Sequence, residues 1–164
     1  MQFEATLEWK RDGQDFLGQR YSRAHTWRFD GGAVVPASSS PLSVPLPMSD
    51  AAAVDPEEAL VAAVSSCHML FFLSIAAKRG HTVDSYIDHA VGLLGKNAQG
   101  KMAMTRITLR PAIAFDGTAP PGEEELHAMH HEAHDKCYIA NSLNTEVVVE
   151  PIAADDFVGR ISAA

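Results

Sequence analysis

The two cysteines of this chain are the residues with the clearest capacity for chemistry. Cys67 lies within a long apolar run predicted to be helical, and Cys137 follows a histidine-rich helical segment. A lone buried cysteine is usually an inert packing residue, whereas a pair in which both members lie beside ionisable groups indicates redox chemistry. We therefore interpret the two cysteines as a working dithiol.

Two thiols can complete a peroxide-reducing cycle that one thiol alone cannot complete cleanly. A thiolate attacks the terminal peroxide oxygen, which gives a sulfenic acid and an alcohol. A second thiol condenses with the sulfenic acid to a disulfide, and an external dithiol must reduce that disulfide. Because an unperturbed thiol has a pKa of about 8.5 and burial raises it, such a cycle needs a cation near the attacking sulfur.

Three arginines near the N-terminus are candidates for that cation. Residues 19–29 are predicted to form a strand, whose alternation puts Arg23 on the same face as Trp27 and puts Arg20 and Arg28 on the other. The aromatic face is expected to be buried, where a charge acts most strongly. Arg23 is therefore preferred to Arg20. The alternative is a strand arginine whose stem covers apolar surface while its charge reaches solvent.

The start and the end of the central helix are strongly specified. Asp55 suits the N-cap, Pro56 the first turn and Glu58 the capping-box position, and Gly80 is a good stop signal. These signals predict a helix over residues of about 55–79.

Helix geometry separates the two acidic residues of the first turn. Glu57 lies about 80° around the helix from Cys67, whereas Glu58 lies on the opposite side. Glu57 is about 15 Å along the axis from the cysteine, so it could contact Arg23 but hardly the sulfur. For both acids the alternative is simple favourable electrostatics at a helix N-terminus.

The remaining pattern predicts one domain over 1–164, with a strand-rich part at 1–50 and a strand pair, helix and final strand within 85–151. Residues 2–9 alternate as a half-buried strand, and a turn-rich segment leads to the central helix. Further elements are expected as strands at 85–94 and 102–115, a helix opening at 120–125, and a final strand at 145–149.

Composition excludes several classes of function. The formal net charge of −8, without clusters of Lys and Arg, argues against binding to nucleic acid or to anionic membranes. The N-terminus lacks a basic region followed by an apolar one, so a reducing cytoplasm is the expected location. Residues 59–77 could mimic a membrane span, but their interspersed polar residues favour a buried central helix.

Two segments together resemble the OsmC/Ohr family of osmotically inducible and organic hydroperoxide resistance proteins. They are Pro56-Glu57-Glu58-Ala59-Leu60-Val61-Ala62-Ala63 leading to Ser66-Cys67, and Ala133-His134-Asp135-Lys136-Cys137. The resemblance covers most of the chain. It implies an α+β fold in which two chains intertwine into a homodimer, with antiparallel sheets packed around long central helices and two active sites at the subunit interface.

The resemblance also implies the activity and the roles of individual residues. Family members reduce organic hydroperoxides with a cysteine pair and without a metal or haem cofactor, using a dithiol reductant such as a lipoyl group. Cys67 would be the peroxidatic thiol and Cys137 the resolving thiol. Glu57 would be the acidic partner of an active-site arginine, for which Arg23 is our choice.

Two other functions remain open at this stage. His127, His130, His134 and Cys137 fall within about 80° of one helix face, which is close enough for a transition-metal site. Alternatively, the chain could be a redox or ligand-binding dimer that keeps the fold without efficient peroxidase activity. His68 stands where the hydroperoxide reductases are expected to have an aromatic residue. It could tune the thiol, cap a polar pocket or be a satisfied core histidine.

Overall fold

The computed structural model describes residues 1–117 and 120–152, which fall into two compact units. The first unit comprises Met1–Leu60, and the second begins at Val61.

The first unit is built on a three-stranded antiparallel sheet in the order β1-β2-β3. Gly32, with φ of 88°, lies in the turn between β2 and β3, a left-handed conformation that glycine adopts without strain. The strands span Ala5–Glu8 (β1), His25–Phe29 (β2) and Val34–Ala37 (β3).

Two expectations about this unit are wrong. The strand predicted over 19–29 begins only at His25, because Asp15 bridges to Arg20 and Gln19 takes φ of 56°, which turns the chain. The strand predicted over 2–9 was expected to be half-buried, yet every residue of β1 is exposed, Leu7 to 64%. Alternating apolar residues are buried only where a second layer covers them, and nothing within this unit covers β1.

The long helix α1 spans Pro56–Lys78, which confirms the prediction of a helix over about 55–79. The capping box is present: the Glu58 backbone N–H donates to Asp55 Oδ1 (2.8 Å), and the Asp55 N–H donates to Glu58 Oε2 (3.2 Å). Such caps contribute about 1 kcal/mol. At the other end, Gly80 has φ of 85° and the His81 N–H returns to the Ala76 carbonyl, the Schellman pattern.

Helix α1 is long and apolar enough to cross a membrane by length and composition alone. A single helix of this kind is weak support for a span, because core helices meet the same test. Its buried residues in the second unit include Phe72, Ile75 and Ala76. They pack with Met129 and Ala133 in the core of that unit.

The second unit contains two small sheets and a second helix. A two-stranded sheet pairs β4 with β7, and a three-stranded sheet has the order β5-β6-β8. The elements are β4 Val83–Asp88, β5 Val91–Lys96, β6 Met102–Leu109, β7 Pro111–Phe115, helix α2 Glu123–Lys136, a short 3-10 helix Ala140–Ser142, and β8 Glu146–Val149.

The predicted strand pair of 85–94 and 102–115 does pair, but each member is divided in two. The first half of each strand pairs with the second half of the other, so that β4 lies on β7 and β5 lies on β6. The first strand divides at residues 89–90. The second divides at Arg110, before Pro111, a residue that cannot donate a ladder hydrogen bond. The expectation of antiparallel sheets holds except at β8, which runs parallel to β6 because the chain returns through the α2 crossover.

Candidate active site

The second unit brings the two cysteines together. Cys67 lies half-buried on α1, and Cys137 caps the C-terminal end of α2, fully buried. The Cys67 thiol lies near enough to Cys137 to help raise the pKa of the Cys137 thiol, and both are free thiols. The packing of α1 against α2 in the shared core positions both residues. Residues distant in sequence thus form the adjacent thiol pair on which a disulfide-forming cycle depends.

The surroundings of the two sulfurs differ. Burial raises the pKa of the Cys137 thiol, and the contact with Cys67 acts in the same direction. The Ala140 backbone N–H donates to Cys137 Sγ at 3.4 Å, which partly offsets the effect of burial. Cys137 Sγ also lies 4.0 Å from the Val64 carbonyl oxygen. Cys137 is therefore a protonated thiol at neutral pH, and a poor first nucleophile.

Arg23 belongs to the first unit and lies just before β2 rather than within a strand. Its guanidinium carbon is 3.8 Å from the centre of the Tyr21 ring, and the group donates to the carbonyls of Gln19 (3.2 Å) and Tyr21 (2.5 Å). Tyr21 is in turn stacked on Phe16. The sequence did not reveal this aromatic support, because it depends on the path of the loop between β1 and β2.

The three candidate arginines differ in their acidic partners. Arg20 forms an ion pair with Asp15, and Arg28 lies 3.8 Å from Glu8. Within residues 1–117 and 120–152, no carboxylate pairs with Arg23. Arg23 is thus the arginine of the three whose charge is not already neutralised by a neighbouring acid.

Glu57 and Glu58 have different surroundings in the first turn of α1. Glu58 is engaged in the capping box with Asp55. Glu57 is half-buried, takes no part in that box and makes no ion pair with Arg23 in the described chain. The capping-box position predicted for Glu58 is therefore confirmed, and the role of Glu57 stays a prediction.

His68 is a core histidine with a partner that the sequence did not indicate. Its Nε2 lies 3.1 Å from His130 Nδ1, and the two rings are parallel within 8°. The Phe72 ring stacks on the His130 ring, with 4.4 Å between the ring centroids. The available signal was weak, because only the approach of α1 to α2 pairs the two histidines.

Both imidazoles are neutral at pH 7. Burial lowers the pKa of His68 to about 4, helped by the proximity of His134. Burial lowers the pKa of His130 to about 3, with contributions from His68 and His127. One nitrogen in each ring, Nδ1 of His68 and Nε2 of His130, has no hydrogen-bond partner among the described residues.

The predicted histidine cluster lines an open cleft, which we call the histidine cleft. It has a volume of about 540 Å³ and lies between α2 and β8. Its lining consists of His127, Ala128, His130, His131 and His134 from the helix, with Val147, Val148, Val149 and Pro151 opposite. Within the described ranges, no three His, Cys, Asp or Glu side chains are grouped so that they could hold a metal ion.

A family profile and several solved structures match this chain. The family profile described as OsmC-like protein matches residues 49–151. An OsmC-like protein of unknown function from Vibrio cholerae is 56% identical, with a TM-score of 0.91 over 93% of this chain and 99% of that chain. No curated protein sequence matches this chain significantly.

More distant solved structures share the fold. An organic hydroperoxide resistance protein, OsmC, from Legionella pneumophila is 14% identical, with a TM-score of 0.65 over 94% of this chain and 97% of that one. The organic hydroperoxide resistance protein OhrB of Bacillus subtilis is 16% identical, with a TM-score of 0.62 over 93% and 98%. The expected α+β fold of this class is confirmed.

Proposed function

Because the chain belongs to the OsmC-like family, we propose that it is a cysteine-based peroxidase that reduces organic hydroperoxides through a two-cysteine cycle. The observation that carries the proposal is the proximity of Cys67 and Cys137, two free thiols from different helices. The names of the relatives from Legionella pneumophila and Bacillus subtilis agree with this activity.

The first step is attack by the Cys67 thiolate on the terminal oxygen of the hydroperoxide. The S–O bond forms as the O–O bond breaks, which oxidises the sulfur to a sulfenic acid, and the leaving alkoxide takes a proton to become an alcohol. Cys67 is assigned this step because it is the less buried of the two thiols. Cys137 is fully buried and its pKa is raised, so it holds its proton.

The second step joins the two sulfurs. Cys137 attacks the sulfenic sulfur of Cys67, the S–O bond breaks, and water leaves as the disulfide forms. An external dithiol, for which we propose a lipoyl group in a reducing cytoplasm, then restores both thiols by exchange and is itself oxidised to a disulfide. A resolving thiol must be within reach of the sulfenic acid, and the proximity of Cys137 to Cys67 supports this assignment.

The experiment for this function is steady-state reduction of cumene hydroperoxide by the purified protein with dihydrolipoamide as reductant. Many turnovers per chain are expected. A protein that consumes no peroxide, and whose two thiols still titrate after exposure to excess peroxide, would contradict the proposal.

We also propose that Arg23, with Glu57, organises the thiolate. The Tyr21 ring and two carbonyls hold the guanidinium, and no acid in the described chain neutralises it. An arginine in this condition can stabilise a thiolate and the developing alkoxide.

Replacing Arg23 by alanine is expected to lower kcat/KM for cumene hydroperoxide by about 100-fold, the effect typical of losing one preorganised charge. Arg20→Ala removes an arginine that already pairs with Asp15, so it should change kcat/KM by less than about twofold. Equal losses in the two variants would show that Arg23 has no special role.

A homodimer is proposed from the apolar surface that the second unit exposes. Leu70 on α1 is 61% exposed, and Leu93 and Leu94 on β5 are 54% and 50% exposed. Leu93 and Leu94 are neighbours in β5, and neighbouring exposed apolar residues mark interaction surfaces. Sedimentation equilibrium is expected to give twice the mass of the chain. A mass of one chain at micromolar concentration would exclude the dimer.

A further inference from the structure

The histidine cleft plays no part in the proposed thiol cycle. Neither cysteine lines it, although its inner wall includes His130, the hydrogen-bond partner of His68. The side opposite the helix is apolar, formed by consecutive valines of β8 and by Pro151. The cleft thus combines an apolar wall with a wall of imidazole rings, a combination typical of small-molecule sites.

Two buried nitrogens in this wall have no partner among the described residues. His130 is only 3% exposed and lines the cleft, and its Nε2 is unpaired. Nδ1 of His134, one helical turn further along α2, is also buried and unpaired. A buried polar atom without a hydrogen bond is costly, so such atoms normally meet a partner.

The link between His68 and His130 determines which partner fits. The bond between His68 Nε2 and His130 Nδ1 holds one proton, which either ring can supply. If His68 donates it, the neutral His130 ring carries its own proton on Nε2 and is a donor there. If His130 donates it, Nε2 is a bare acceptor. A hydroxyl group can serve either form, because it both donates and accepts.

Charge also restricts the ligand. Among residues 1–117 and 120–152, those that line the cleft include no Lys, Arg, Asp or Glu, and burial keeps the His130 ring neutral at pH 7 by lowering its pKa. On β8 the flanking residues Glu146 and Glu150 are acidic, and the whole chain carries a net charge of −8. Within the described part of the chain, the lining therefore offers an anion no fixed positive charge and a cation no carboxylate.

We propose that the histidine cleft binds a small neutral molecule with an apolar body and a hydroxyl group, which hydrogen-bonds to His130 Nε2 and His134 Nδ1. The apolar body packs on the valines of β8. The site requires neither thiol, so it can exist whether or not the peroxidase cycle operates.

The test uses the Cys67→Ser protein, so that thiol chemistry does not contribute, and three ligands of similar size: benzyl alcohol, toluene and benzoate. Binding is followed by the imidazole nitrogen resonances of 15N-labelled protein. Benzyl alcohol is expected to shift the His130 and His134 resonances saturably, with Kd on the order of 1 mM. Toluene, which lacks the hydroxyl, should bind about fivefold more weakly, and benzoate more than about tenfold more weakly.

A pair of tryptophan variants tests the location. Ala128 is exposed and lines the cleft, so Ala128→Trp should fill it and weaken benzyl alcohol binding more than about tenfold. Ala51→Trp adds the same group to an exposed alanine outside the lining and should leave Kd unchanged. No saturable shift at the two histidines, equal affinity for toluene, tighter binding of benzoate, or unaltered binding to Ala128→Trp would each overturn the proposal.

Discussion

Replacing Cys67 by serine is expected to lower turnover of cumene hydroperoxide by about 1000-fold or more. A serine hydroxyl is not ionised at neutral pH and cannot be oxidised by a peroxide to a recyclable acid, so no first step remains. The measurement is the steady-state rate with dihydrolipoamide, together with circular dichroism to confirm that the variant is folded. Because Cys67 is only half-buried, the exchange of sulfur for oxygen should leave the fold intact.

Cys137→Ser is the matched comparison, because it removes the second thiol of the same contact pair. This variant should release about one alcohol per chain in a rapid first turnover and then stop, since the sulfenic acid on Cys67 lacks its resolving partner. The reverse pattern, with a first turnover in Cys67→Ser and none in Cys137→Ser, would exchange the two roles. Full steady-state activity in Cys67→Ser would contradict the proposed thiol cycle.

Acidification is expected to destabilise the protein steeply through the buried His68–His130 pair. The pKa values of the two rings are lowered to about 4 and about 3 in the native state, whereas an exposed histidine in the unfolded chain has a pKa of about 6.5. Between a pH of about 6.5 and a pH of about 4, the unfolded chain binds protons on these two rings that the native state does not bind. The free energy of unfolding therefore falls as pH falls, by about 1.4 kcal/mol per pH unit for each ring.

The check is urea denaturation at pH 7, 6 and 5, comparing wild type with the double variant His68→Gln, His130→Gln. Glutamine can hydrogen-bond but does not titrate. Below pH 6 the free energy of unfolding of the double variant should therefore fall by about 2.7 kcal/mol less per pH unit than that of wild type. His127 and His134 of α2 face the pair and remain in both proteins. His131→Gln, at an exposed site paired with Asp135, is the control and should follow wild type. Parallel pH profiles for wild type and the double variant would contradict the account.

The long helix could be predicted from the sequence because its signals are local. Asp55 and Glu58 cap one another, and Gly80 takes the left-handed conformation that ends the helix. The division of the two predicted strands, at residues 89–90 and at Arg110, could not be foreseen in the same way. The alternation of residues is the same in β6 and β7, and only the pairing partners show where one sheet ends and the next begins.

The candidate site, too, could be predicted from the sequence only in part. The sequence singled out Cys67 and Cys137 from their types and neighbours, but their contact depends on how α1 and α2 pack. The partnership of His68 with His130 has the same origin. The histidines of α2 were correctly placed on one face, yet that face lines a cleft with the valines of β8, which no helical pattern could indicate.

The sequence argument for Arg23 was incomplete for a different reason. The alternation argument assumed a strand over 19–29, whereas Arg23 lies outside β2 and is held by the Tyr21 ring and backbone carbonyls. The preference for Arg23 over Arg20 now rests on another observation, the ion pair that occupies Arg20. Propensity could not reveal the turn at Asp15 to Arg20, because a non-glycine residue with positive φ is hard to foresee.

The central claim is that Cys67 and Cys137 join during reduction of a hydroperoxide, and peptide mapping by mass spectrometry tests it most directly. The reduced protein is treated with one equivalent of cumene hydroperoxide, alkylated without reductant and digested. We expect a peptide linked through Cys67 and Cys137, loss of both free thiols, and one cumyl alcohol per chain. Two alkylated thiols and unconsumed peroxide would contradict the claim, as would disulfides that join Cys67 only to Cys67 of another chain.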